Sequence, residues 1–180
     1  MYIAQQLKEK NIAEYLIYMW QIEDLIRAND LDIDKIGQNI IAQYQGGEEL
    51  HRELRTWYDG LIDMMRAEHV VEKGHLQINK NVILNLTELH HKLLSSPQFP
   101  FYSSAYYKAL PFIVELRNKN ENKDDPELQT CFEALYGVML LRLQKKTISA
   151  ETTKAIEAIS SLLSLLANYY DKEIKGELEL

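Results

Sequence analysis

Apolar residues recur along most of the chain at intervals of three and four, the spacing of helices that bury one side. The first long segment shows the pattern clearly, with Ile12, Tyr15, Leu16, Met19, Ile22 and Ile26 falling on one face. No stretch between turn signals alternates apolar and polar residues as a half-buried strand would. The pattern therefore predicts an all-α protein whose neighbouring helices run mostly antiparallel.

Breaks in this periodicity divide the chain into about seven helices. The predicted helices are Ile3 to Ala28, Ile33 to Tyr44, Glu48 to Lys73, Asn79 to Leu94, Ser104 to Asn118, Pro126 to Lys146, and a last helix from the Ser149 cap to Ile174. Gly46 and Gly47 end the second of them, and Gly74 ends the third.

Prolines and polar runs predict where the chain is irregular. The run SSPQFPFYSS, residues 95–104, contains Pro97 and Pro100 and is expected to be the longest irregular segment. Pro111 is expected either to kink the fifth helix or to mark its true first turn. The run NKNENKDD, Asn118 to Asp125, is predicted to be a solvated linker, with Asp125 as the cap of the sixth helix.

Length and composition are those of one globular domain spanning residues 1–180. The single cysteine, Cys131, lies in an apolar helical context and is expected to be a small buried side chain rather than a reactive thiol. The longest charge-free stretch, Ala158 to Tyr170, is shorter than the ~20 residues of a membrane span. No secretion signal precedes the first helix, so the sequence predicts a cytoplasmic protein that does not enter a membrane.

The formal net charge of −7 disfavours binding to nucleic acid or to anionic lipid, since both require a basic face. Two motifs suggest metal, because Glu48-x-x-His51 and Glu88-x-x-His91 match the Glu-x-x-His element of di-metal helical bundles. A helical wheel turns Glu88 away from the apolar stripe, however, and Glu48 suits the first turn of its helix as an acid. We therefore predict neither a metal nor a cofactor.

Polar residues on otherwise apolar faces are the candidates for a site. Glu23, Arg27, Glu68 and His90 lie on such faces, whereas His91 does not. Buried charges are seldom unpaired, so the three charged residues are expected to meet each other or to open onto a cleft. One interpretation is an internal ion pair near helix ends. The alternative places all four around one pocket that binds a small polar ligand.

An aromatic segment, Phe99 to Tyr107, contains Tyr102 and Tyr106 and is followed by Phe112. It predicts either a recognition surface or a loop whose rings cover the core. No arrangement of serine or cysteine with histidine and an acid has a local catalytic signature. The sequence thus favours a non-enzymatic helical module that acts through protein contacts, with a second copy or with another protein. A ligand-binding protein or enzyme built on Glu23, Arg27, Glu68 and His90 is the alternative.

The stretch NIAEYLIYMWQIEDLIRAN, Asn11 to Asn29, followed by DIDKIGQNII, Asp32 to Ile41, resembles a family of uncharacterised bacterial proteins of about this length, known mainly from Bacteroidota as a domain of unknown function. The resemblance covers the whole chain. It implies an intracellular helical protein without an assigned activity, and it brings no catalytic or ligand-binding residues to positions of this sequence.

Overall fold

The computed structural model describes residues 2–119 and 125–179, and every regular element within them is helical. The predicted all-α class is confirmed, with eight α-helices and one 3-10 turn in the described residues. The helices are α1 Tyr2–Lys10, α2 Ile12–Ala28, α3 Ile33–Asn39, α4 Glu48–Ala67, α5 Gln77–Ser95, α6 Pro100–Lys119, α7 Glu127–Leu143 and α8 Ala150–Ile174, with the 3-10 turn Ile41–Gln43 between α3 and α4.

The chain divides into two compact units. The first contains the residues up to Lys10 together with Glu14–Asn81, and the second contains Asn11–Ala13 with the residues from Val82 onward. The boundary between Asn81 and Val82 falls inside α5. The predicted organisation as one domain stays a prediction.

The predicted first helix, Ile3 to Ala28, is wrong, because the structure has two helices, α1 and α2, in its place. It is interrupted at Asn11, whose Oδ1 accepts the backbone N–H of Ala13 at 3.1 Å. Asparagine competes in this way with the helical hydrogen bond, and it therefore starts α2 afresh. The predicted second helix is also shorter than expected, because α3 ends at Asn39 and its continuation is the 3-10 turn.

The predicted third helix ends six residues too late, since α4 stops at Ala67 rather than Lys73. His69 adopts a left-handed conformation with φ of 57°, and Val70 N–H donates to Met65 O at 3.0 Å. This is the Schellman arrangement that closes many helices. The same 6→1 hydrogen bond joins Leu31 to Ile26 after α2 and Lys146 to Leu141 after α7. The helix α7 therefore ends at Leu143, three residues before the predicted end at Lys146.

The predicted irregular segment of residues 95–104 is mostly helix. Pro100 occupies the first position of α6, where proline is tolerated because that N–H has no intrahelical partner. Pro111 lies inside α6 and is not its first turn. At the predicted linker, α6 extends to Lys119, and residues 120–124 lie outside the described part of the chain.

Two predicted caps have different outcomes. Asp125 is not the cap of α7, because Pro126 holds that position without a side-chain bond. Ser149 does cap α8, since its Oγ accepts Thr152 N–H at 3.1 Å. The hydroxyl thus satisfies one of the N–H groups that a helix start leaves without an intrahelical partner.

Within the second unit, α6 and α8 run antiparallel. Tyr102 near the start of α6 packs edge-on against Tyr169 near the end of α8, with 6.0 Å between ring centroids. At the other end, the pKa of Lys119 is raised by its hydrogen bond with Glu115 and also by the negative charge of Glu151, which lies in the first turn of α8. Across the described residues, no helix combines the length and the apolar character that crossing a bilayer requires.

Candidate functional site

Glu23 is a buried carboxylate, 1% exposed, and its oxygens hold the segment that connects α4 to α5. Oε1 accepts Leu76 N–H at 3.0 Å and the Asn79 amide at 2.6 Å. Oε2 accepts Nδ1–H of His75 at 2.6 Å, and this imidazole stacks on Trp20 with 4.2 Å between ring centroids. Three groups of residues 75–79 thus converge on one side chain of α2, more than 50 positions earlier in the chain.

Arg27 and Glu68 bind the same segment. Arg27 donates to the carbonyls of Val70, at 3.1 Å, and of Gly74, and it also pairs with Asp24 at 3.0 Å. Glu68 accepts the N–H of Gln77, the first residue of α5, at 2.6 Å. Carboxylates at a helix start are favoured by the helix dipole. The three predicted residues therefore satisfy backbone groups of residues 70–77, and no Glu23–Arg27 or Glu68–Arg27 ion pair forms among the described residues.

His90 belongs to the second unit and is fully buried on α5. An ionised carboxylate only accepts hydrogen bonds, so Nε2–H donates to Glu127 Oε1 at 2.9 Å. On the other side of the ring, Nδ1 lies 2.5 Å from the Tyr102 hydroxyl, its second hydrogen-bond partner. Tyr106 donates to the second oxygen of Glu127 at 3.4 Å. The result is a chain of side-chain bonds from Tyr102 through His90 to Glu127.

The pKa of Glu127 lies below its usual value, mainly because of the hydrogen bond from His90. A lowered pKa in the folded state stabilises the fold above the unfolded-state pKa, and this contribution is lost as pH falls through the folded-state value. We expect the stability difference between the wild type and Glu127→Gln to be larger at pH 7 than at pH 3. Urea denaturation across this range measures it. A difference that stays constant with pH would contradict the assignment.

The groups around the hydrogen-bonded side chains Tyr102, His90 and Glu127 are poor nucleophiles. Cys131 is fully buried, and burial raises the pKa of its thiol to about 12. Burial also raises the pKa of Tyr102, and burial together with the charge of Glu127 raises that of Tyr106 to about 12. A nucleophile requires an accessible, deprotonated atom. The predicted buried role of Cys131 is thus confirmed, and the network assists packing rather than supplying reactive groups.

Neither of the two Glu-x-x-His motifs places its side chains in a buried site. Glu88 is exposed and pairs with Lys92 at 2.9 Å, and His91 is exposed as well. In the other motif, His51 Nε2 lies 3.0 Å from the carbonyl of Tyr44. Over residues 2–119 and 125–179, no three histidine, cysteine or acidic side chains come close enough to bind a metal ion.

An open groove of about 600 Å³ lies in the second unit between α6, α7 and α8. Its floor is apolar, with Phe112, Leu116, Val138, Leu141 and Ile156 among the lining residues. Charged side chains stand at its edges: Glu115 with Lys119 on α6, Glu133 on α7, Lys146 after α7 and Glu151 on α8. An apolar floor with a charged rim is the usual design of a protein-binding surface.

The groove-lining residues on each wall follow a helical repeat. Phe112, Glu115 and Lys119 line one wall at steps of three and four. Glu133, Gly137, Leu140 and Gln144 line the other at steps of four, three and four. This is the spacing by which helices in bundles accept the side chains of a neighbouring helix. Over α7 the lined face is ~16 Å long, which corresponds to about three turns of a helix.

Gly137 stands in the middle of α7 and lines the groove. A Cβ built on it meets no atom within 4 Å, so the packing of the chain does not require a glycine there. Glycine inside a helix costs about 0.5–1 kcal/mol relative to alanine. Because Gly137 has no side chain, nothing projects from the middle of α7 into the groove at this position. Sequence reasoning missed the groove, and this helix-interior glycine was its one local signal.

The aromatic segment divides between the two predicted roles. Phe99 is 8% exposed and Tyr102 is fully buried, so these rings cover the core. Phe101 and Tyr107 are 80% and 65% exposed on α6. Phe112 lines the groove. The outward part of α6 is therefore rich in rings that meet solvent.

Comparison with known protein families gives one result. Residues 1–177 match the family described as "Domain of unknown function (DUF4924)". The chain belongs to this family. The predicted membership of a family of unknown function is thus confirmed, whereas the bacterial group stays a prediction. No curated protein matches the chain, and no solved structure does.

The four residues predicted as one ligand site are divided by the fold. Glu23, Arg27 and Glu68 belong to the first unit and hold residues 70–77, and His90 belongs to the second unit and binds Tyr102 and Glu127. A ligand pocket around all four stays a prediction. His75, Asn79 and Glu127 are the partners that sequence reasoning missed, because each is separated from its partner by 37 to 56 residues.

Proposed function

We propose that the protein is a binding module that accepts an amphipathic helix of a partner protein in the groove between α6, α7 and α8. The observation that carries the proposal is Gly137, because it weakens its own helix and leaves space that no side chain among the described residues of the second unit fills. Both walls offer residues at helical spacing, and the mixed charges of the rim suit the flanking residues of an amphipathic helix.

A different protein is a better occupant than a second copy of this chain. In a twofold dimer each copy would have to place a convex element of its own into the groove of the other copy, so two fits would be needed at once. A concave surface needs a convex partner. The length of the groove, about three turns along α7, also suits a helix. Glu23 and Glu68 already bind donors of the chain itself, which favours the groove over these acids as the functional site.

The test is to fill the groove without harming the fold. Gly137→Leu places a side chain in the groove, where a Cβ meets no atom, and it removes a helix-weakening glycine. We expect it to keep or raise the melting temperature. Gly60→Leu is the matched control, because Gly60 also lies inside a helix, α4, is exposed, and would place its Cβ in open space outside the groove.

Binding is measured with a displayed library of amphipathic peptides about 20 residues long, which is enough for several helical turns. We expect selected helices to bind the wild type and Gly60→Leu equally and to bind Gly137→Leu at least about tenfold more weakly, because one blocked anchor removes 1.4 kcal/mol or more. Peptides that bind Gly137→Leu as well as the wild type would refute the proposal. So would a dimer in light scattering that Gly137→Leu dissociates, or a small molecule that copurifies only with a protein that has an open groove.

A further inference from the structure

A second cavity, of about 560 Å³, lies within the first unit at the junction of α3, the 3-10 turn and α4. Three of its lining side chains come from α4: His51, Arg52 and Arg55. The opposite side is formed by Asp34 and Gln38 of α3 and by Ile41 and Ala42 of the 3-10 turn. The cavity has two guanidinium groups and one carboxylate, Asp34, so its lining is net positive in a chain with a net charge of −7.

The two arginines are used differently. Arg55 donates through Nη2 to Asp34 Oδ1 at 2.5 Å, an exposed ion pair that directs the guanidinium group toward α3. A guanidinium carries five N–H donors, so this bond leaves most of them for another acceptor. Arg52 is exposed, lies one turn earlier on the same helix, and forms no ion pair with any residue in the described ranges. The acids Glu48, Glu49 and Glu53 of α4 do not line the cavity.

Gly37 makes the close approach of Arg55 to α3 feasible. A Cβ at this position would lie 3.2 Å from Nη1 of Arg55, which is tighter than ordinary contact. The glycine is inside the short helix α3, where any other residue would favour the helix more. Its absence of a side chain lets the guanidinium group lie against the backbone of α3. Asp34 and Gly37 together therefore direct Arg55 toward α3 before any ligand arrives.

We infer that this cavity binds a small organic oxyanion, with the carboxylate or phosphate group held by Arg52 and Arg55. A planar guanidinium matches the paired oxygens of both groups, and hydrogen bonds between charged partners are stronger than neutral ones. The exposed Ala42 offers an apolar surface for the carbon part of the ligand, above the buried Ile41. The site is separate from the groove of the proposed function, because all of its residues belong to the first unit.

The test titrates the isotopically labelled protein with inorganic phosphate and with citrate at constant ionic strength. We expect saturable amide shift changes confined to residues 37–42 and 51–55. Arg52→Gln should weaken binding by at least about tenfold, because it removes a charged hydrogen-bond donor. The two probes separate the sources, since a tighter fit of citrate indicates a polycarboxylate and a tighter fit of phosphate indicates a phosphate ester.

Arg142→Gln is the matched control, because it removes the same charge from an exposed position of α7 in the second unit. We expect it to bind the anions as the wild type does. Equal weakening by both arginine variants, or shift changes that do not saturate with either probe, would overturn the inference. Gly137→Leu should leave anion binding unchanged and Arg52→Gln should leave peptide binding unchanged, so failure of one proposal is distinct from failure of the other.

Discussion

Glu23→Ala is expected to lower the free energy of unfolding by about 3–5 kcal/mol, the usual cost of breaking a buried pair by removing one partner. The substitution leaves Leu76 N–H and the Asn79 amide without their acceptor in the core, and it removes the partner of the half-buried His75 ring. Each buried donor that loses its acceptor adds the cost of an unsatisfied polar group to the folded state. Urea denaturation followed by circular dichroism measures the loss.

Two controls separate this explanation from a general effect of removing an acid. Glu53→Ala makes the same change at an exposed position of α4, and we expect it to alter stability by less than about 0.5 kcal/mol. Glu23→Gln keeps one oxygen acceptor and should fall between the two. A Glu23→Ala protein as stable as Glu53→Ala would show that the bonds to residues 75–79 do not hold the first unit together.

His90→Ala is expected to cost about 3 kcal/mol or more, because it leaves a cavity in the core and removes both bonds of a fully buried ring. The Tyr102 hydroxyl loses its hydrogen-bond partner, and Glu127 loses the donor that lowers its pKa. The same variant should therefore also flatten the acid-dependent loss of stability assigned to Glu127. Denaturation at pH 7 and pH 3 measures both effects.

The adjacent histidine is the natural control. His91 follows His90 on α5 but is exposed. We expect His91→Ala to change stability by less than about 0.5 kcal/mol, as is usual for surface substitutions. Equal losses from the two variants would mean that the burial of His90 and its bonds contribute nothing specific.

The directions of helical side chains are predictable from the sequence because they depend only on local geometry. The apolar stripe of α5, formed by Val82, Leu86, Leu89 and Leu93, is buried, and the predicted placement of His90 on the apolar face and of His91 off it is correct. Glu23 is buried for the same reason. Three- and four-residue spacing is sufficient for all of these assignments.

Helix ends were less predictable, because several use residues that carry no strong stop signal. His69 and Lys145 take the left-handed position after α4 and α7, where glycine is the usual residue. Pro100 was read as a breaker although it begins a helix. In each case the surrounding fold overrides a local preference of about 1 kcal/mol.

The partners of the predicted site residues could not be found from the sequence at all. His75 meets Glu23 across 52 positions, and Glu127 meets His90 across 37. Such contacts depend on how the helices pack, which periodicity does not encode. The groove is of the same kind, since it exists only where three helices leave space between them.

The boundary between the two compact units lies inside a helix, which affects whether gene recombination can separate the units. A cut between Asn81 and Val82 would pass through the backbone ladder of α5, and the second unit also takes Asn11–Ala13 from within the opening part of the chain. Gene recombination at that point would therefore give two fragments with frayed ends instead of two portable modules. A single family match running from residue 1 to 177 agrees with transmission of both halves together.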